Sequence, residues 1–149
     1  MTQPVFRIGA VAVSSRFDRD TAARALDHVA ARWPGGEVEL RFHPDAFLEH
    51  GHFAGEDDRR AAAFLDFAND PGLDAVWFAR GGYGACRMAE AALAGLTDAA
   101  RDKAYLGYSD AGALLGGLYR AGFPRVAHGP MIADLRRPGG VAAADRALD

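Results

Sequence analysis

A single cysteine, Cys86, and a single lysine, Lys103, stand in a chain of 149 residues. One cysteine excludes an intrachain disulfide and a cysteine-based zinc site, and it fits a reducing compartment. No apolar run approaches the roughly 18 residues needed to cross a bilayer. The start of the chain lacks the basic residues and long apolar core of a signal peptide, so a cytoplasmic location with no membrane partner is the expectation. A basic excess is also missing. Acidic residues number 20 against 17 basic ones, for a net charge of −3. The arginines are scattered rather than striped, and nucleic acid is not an expected partner. Neither a dinucleotide G-x-G-x-x-G pattern nor a phosphate loop ending in Lys-Ser/Thr is present, and no cofactor is expected. What remains is ordinary globular composition, 50% apolar and 25% charged. That suits one domain with a sizeable core.

Strand-like and helix-like segments alternate along the whole chain. Residues 5–13 are β-rich and almost continuously apolar, as in a strand buried on both faces. Asp18 or Asp20 can cap a helix running to about Trp33, with Ala22, Leu26, Val29 and Trp33 on one face. Pro34-Gly35-Gly36 ends it. Residues 37–43 alternate polar and apolar, which predicts a second strand near an edge. A long loop over 44–55 follows, then a helix opened by Glu56-Asp57-Asp58 and closed by Asn69-Asp70-Pro71-Gly72. Further strands are expected at 74–79, 103–108 and 124–128, with helices at about 85–94 and 111–120. Strands separated by helices imply parallel pairing with right-handed crossovers. The expected fold is therefore α/β: a doubly wound, mainly parallel five-stranded sheet in three layers, flavodoxin- or Rossmann-like. Residues 1–135 form this domain. Residues 136–149 read as a linker and the start of a helix leading into a further domain.

Function in such folds collects at the carboxyl ends of the strands. Three glycine-containing junctions fall there, at 80–84, 107–110 and 128–130. Ser109 stands between a strand and a helix. A sharp strand-to-helix turn there would expose its hydroxyl above the sheet, with the Asp110 amide beside it for an oxyanion. The other reading is a serine that caps the helix. In Arg80-Gly81-Gly82-Tyr83-Gly84, the glycines let backbone approach a ligand and present amides to an anion. Arg80 can pair with a carboxylate, or the segment is a tight turn carrying a surface arginine. Arg80 and Tyr83 are the substrate-binding candidates on this turn. His128 is a general base or simply a strand end. His50 and His52 lack a third ligand nearby, so no metal site is assigned. Cys86 lies at a helix start, where a thiolate is favoured, but a lone cysteine is more often a packed small residue.

Taken together, these strings resemble the LD-carboxypeptidase family, the S66 serine peptidases. The matching pieces are Ile8-Gly9-Ala10-Val11-Ala12 with Ser14-Ser15, and Phe53-Ala54-Gly55 followed by an acidic run and Arg59. Next come Ala79-Arg80-Gly81-Gly82-Tyr83-Gly84-Ala85 with Arg87, Leu106-Gly107-Tyr108-Ser109-Asp110, and His128-Gly129-Pro130-Met131. The resemblance implies a serine nucleophile at Ser109. It implies an oxyanion hole from the backbone around Gly81 and Gly82 and from the amide of Asp110. It also implies a second, β-rich domain, outside these residues, that supplies the triad Glu and His, so His128 is not promoted to that role. The implied activity is removal of terminal D-alanine from a murein tetrapeptide during peptidoglycan recycling, by a cytoplasmic homodimer. The chain alone would then be inactive. A hydrolase of the same family that confers immunity to peptide–nucleotide antibiotics is a second reading. A non-catalytic flavodoxin-like module binding a small anion is a third. Family members usually carry Thr where Gly112 stands and Pro where Val13 stands.

Overall fold

The computed structural model describes residues 4–149. Five strands form one sheet: β1 (Phe6–Val11), β2 (Val38–Phe42), β3 (Ala75–Phe78), β4 (Ala104–Gly107) and β5 (Val126–His128). All four pairings are parallel, in the order β2-β1-β3-β4-β5. The helices are α1 (Arg19–Arg32), α2 (Asp57–Ala68), α3 (Ala85–Ala94), α4 (Gly112–Arg120) and α5 (Gly140–Leu148). The expected doubly wound α/β fold is the one observed.

Period-two alternation decides how the layers assemble. In β3, Val76 and Phe78 turn to one face, against Phe64, Phe67, Met88 and Leu114 of α2, α3 and α4. Ala75 and Trp77 turn to the other face, against Ala25 and Val29 of α1 and Ile132. Every residue of β3 is buried, as expected of a central parallel strand. β2 lies at the sheet edge, as its alternating pattern predicts, and buries only Leu40 fully.

Strands are shorter than their apolar runs. Val11 pairs with Phe78 at the last rung of β1, and Ala12 to Ser15 continue beyond the ladder as a loop. The 44–55 loop contains a 3₁₀ turn, Pro44–Phe47, and bridges Ser15 and His50 to Phe53. Asp18 caps α1 by accepting from the Thr21 amide at 2.8 Å. The helix expected from 111 instead opens with a 3₁₀ turn, Ser109–Ala111.

Within 136–149 the expected helix forms, and the residues before it do not run free as a linker. After a 3₁₀ turn, Ile132–Arg136, the chain forms α5 and docks on α1. Ala144 is fully buried, His28 Nε2 lies 2.7 Å from Asp145, and Arg32 reaches both Asp145 and Asp149. The apolar face of α5 has the core beneath α1 as its partner, which a linker reading did not supply.

Asp45 receives two 2.9 Å bonds from Arg59 and so pins the 3₁₀ turn Pro44–Phe47 to α2. Those bonds hold the Asp45 carboxyl below the usual carboxylate range. A depressed folded pKa contributes stability that is present above the unfolded value of about 3.9 and lost as pH falls through the folded one. Asp45→Asn should therefore lower the melting temperature at pH 6, and the gap to wild type should close towards pH 2. A gap independent of pH would show that the ion pair carries none of the effect.

Candidate active site

The strand order reverses between β1 and β3, and the crevice of a doubly wound sheet opens at such a point. Three loops meet there. Ser14 and Ser15 follow β1, Arg80 to Gly84 follow β3, and Tyr108 to Asp110 follow β4. The Ser15 amide donates to the Gly81 carbonyl at 3.2 Å, which ties the first two loops together. Since β3 and β4 are neighbours, the glycine turn and the serine turn emerge side by side.

Ser109 is the one non-glycine residue at positive φ among those described, at +56°. Such a conformation costs an L-residue on the order of 1–2 kcal/mol and is held only where surrounding contacts fix it. Ser109 is exposed, and Tyr108 rather than Ser109 stands at the N-cap of the 3₁₀ turn, so the capping reading does not describe it. A methyl group on Gly81 would lie 2.9 Å from Ser109 Oγ and 3.0 Å from its Cβ. The serine hydroxyl thus rests on the bare backbone of the glycine turn. Gly82, at φ +108°, has the same need on its other side, where a Cβ would collide with Ser15 Oγ. The amides of Gly81 and Gly82 donate to no carbonyl among the described residues, and Gly81 lies against Ser109. Gly112 has open space beside its Cα, where a Cβ would meet nothing within 4 Å.

Asp110 does more than offer its amide. Its Oδ2 accepts from Ser14 Oγ at 2.6 Å and from the Ala85 amide at 2.8 Å. Arg80 is exposed, and its guanidinium donates to the Arg16 carbonyl at 3.0 Å. Tyr83 is 49% exposed and groups with His52 and Phe53, each ring 6.0 Å away. His128 ends β5 and packs edge-on to Tyr108. Cys86 is exposed on α3. His50 lies 4.0 Å from Glu56, and no cluster able to hold a metal occurs among the described residues.

Arg60 was not legible as a site residue. It is 1% exposed, yet it donates to the carbonyls of Val13 and Gly84 at 2.8 Å and of Gly55 at 3.1 Å, and it pairs with Asp57. Burial pulls its pKa below the ordinary arginine value, and Asp57 opposes that shift. One signal pointed to it: Arg60 shares the buried stripe of α2 with Phe64 and Phe67, where a charge needs a partner.

An apolar cavity of about 390 Å³, lined by Phe6, Trp33, Trp77 and Leu148, opens on the α1 and α5 side and contains none of these groups.

The family model for the LD-carboxypeptidase N-terminal domain, peptidase S66, matches residues 8–129. The chain belongs to the LD-carboxypeptidase family. It is 28% identical over 129 residues to the murein tetrapeptide carboxypeptidase of Pseudomonas aeruginosa, spanning 87% of this chain and 40% of that protein. The muramoyltetrapeptide carboxypeptidase of Oxalobacter formigenes superposes with a TM-score of 0.70 at 25% identity, over 85% of this chain and 40% of that one. The microcin C7 self-immunity protein MccF, in complex with aspartyl sulfamoyl adenosine, shares the fold. Its TM-score is 0.73 at 20% identity, over 97% of this chain and 43% of that one. The chain spans about two fifths of the length of the curated relatives it matches. No helix among the described residues of this LD-carboxypeptidase domain is long and apolar enough to cross a membrane.

Proposed function

We propose that this chain is the nucleophile-bearing α/β domain, residues 1–135, of a serine LD-carboxypeptidase that removes terminal D-alanine from a murein tetrapeptide. The observation that carries the reading is Ser109: exposed, at positive φ, uncommitted as a cap, and seated on the glycine turn. In this reading Ser109 Oγ attacks the carbonyl carbon before the terminal D-alanine. The amides of Asp110 and of the Gly81–Gly82 turn receive the developing oxyanion, where donors about 3 Å from the charge stabilise it most. Arg80 and Tyr83 contact the peptide from the same turn. The substrate is a murein peptide recovered in the cytoplasm, and the complete protein acts as a homodimer. The likeness to two murein carboxypeptidases supports this substrate over a peptide–nucleotide antibiotic, since the resemblance to MccF extends to fold alone.

A serine hydroxyl is a weak nucleophile without an adjacent base. Ser109 Oγ bonds to no base among the described residues, and the Glu and His of the triad are assigned to a further domain. The purified 149-residue chain should therefore release no D-alanine from murein tetrapeptide above background, as read by chromatography of the products. Robust turnover would place the base within this chain, with His128 the first candidate to mutate.

A further inference from the structure

The Asp110 side chain and Arg60 hold the same two short segments, Val13–Ser14 and Gly84–Ala85. The peptide joining Gly84 to Ala85 gives its carbonyl to Arg60 at 2.8 Å and its N–H to Asp110 Oδ2 at 2.8 Å. In the loop after β1, the Val13 carbonyl goes to Arg60 at 2.8 Å and the Ser14 hydroxyl to Asp110 Oδ2 at 2.6 Å. One carboxylate oxygen thus joins the loop after β1, the start of α3 and the turn that follows β4. Arg60 is buried beside them, and the charge of Asp110 favours its charged form. Ser109 is the residue immediately before Asp110 and holds φ at +56°. A strained residue keeps its conformation only while its surroundings over-determine it. Here the tie from Asp110 fixes the serine turn relative to the glycine turn on which Ser109 Oγ rests.

We propose that the Asp110 carboxylate is the positioning group of this site: by binding Ser14 and the Ala85 amide, it sets the direction of Ser109 Oγ against the Gly81–Gly82 amides. The inference rests on Ser109 being the nucleophile. A carboxylate at this place then has a task separate from the amide of the same residue. It never touches the substrate and acts through the geometry of its neighbours. Ser14 is its first donor, and the loss of that hydroxyl loosens the tie to β1 while leaving the tie to α3.

The test is steady-state kinetics on the whole enzyme with murein tetrapeptide, for Asp110→Ala, Asp110→Asn and Ser14→Ala, each with a thermal melt. Asp110→Ala should lower kcat about a hundredfold or more, the scale of a misplaced reacting group. KM should stay within about threefold, because ground-state contacts are kept. Asp110→Asn should recover part of the loss, since its amide oxygen can accept both bonds. Ser14→Ala should lower kcat about tenfold with a nearly unchanged melt, because one of two donors remains. If Asp110→Ala does not fold, Ser14→Ala decides alone. An unchanged kcat in Ser14→Ala and in any folded Asp110→Ala protein overturns the positioning role. Turnover by Ser109→Ala, measured beside them, would instead remove the nucleophile assignment on which it rests.

Discussion

Ser109→Ala in the complete enzyme should abolish release of D-alanine, with kcat falling by several powers of ten, as happens when the nucleophile of a catalytic triad is removed. Stability should hardly move. The lost hydroxyl is exposed and makes no cap bond, so the change should stay within about 0.5 kcal/mol, or roughly 2 °C in melting temperature. Alanine keeps the cost of φ +56°. Ser109→Gly removes it and should melt about 2–4 °C above Ser109→Ala while being equally inactive. The two variants thus separate strain from chemistry: one gains stability at the same backbone position, and both lose the nucleophile. An active Ser109→Ala enzyme would end the serine-peptidase reading. Equal melting of the two would show that the turn is not strained.

The largest effect on stability is expected at Arg60. Arg60→Met keeps the stem packed in the buried stripe of α2 but takes the guanidinium donor from the carbonyls of Val13 and Gly55, and leaves the Gly84 carbonyl with the Arg87 amide alone. Each buried carbonyl left without a donor costs about 1–3 kcal/mol, so losing two costs several kcal/mol, while Asp57 keeps Arg87 as its partner. In a domain of this size that corresponds to a fall of about 10 °C or more in the melting temperature. Arg60→Lys should rescue little, since a single ammonium cannot reproduce the planar fork that serves three carbonyls and Asp57. The fold is thus sensitive to mutation directly beneath the site, although Arg60 touches no substrate in the proposed mechanism. A melt within about 3 °C of wild type for Arg60→Met would show that water replaces the guanidinium at little cost.

Much of the site was readable as text because each feature is local in sequence. A glycine-rich turn directly after an apolar strand, and a Gly-Tyr-Ser-Asp string between a strand and a helix, announce backbone that must turn sharply at a carboxyl end. Parallel pairing then places both turns at one edge, but that Ser109 meets Gly81 depends on β3 and β4 being neighbours in the sheet. The α/β class and the five strands follow from the same periodicities. What the local pattern could not give is anything that depends on which side chain reaches across the fold. Ser14 meets Asp110 over 96 positions of sequence. Arg60 meets Val13 over 47. Neither separation leaves a periodic trace. The capping reading of Ser109 likewise failed on a backbone angle, since helix-start serines look alike in sequence whether φ is negative or, as here, positive. The segment 136–149 carried linker-like Pro-Gly-Gly, yet α5 found its partner in α1 through His28, Asp145 and a buried Ala144. By itself, then, the sequence determined the layer architecture and the edge of the sheet where chemistry would collect, because hydrophobic period and turn chemistry act over a few residues. The tertiary structure alone decided the strand order, the docking of α5 and the ties of Asp110 and Arg60 to the Val13–Ser14 and Gly84–Ala85 segments. Those depend on the energetics of burying charge and polar backbone among groups that become neighbours only once the chain has folded.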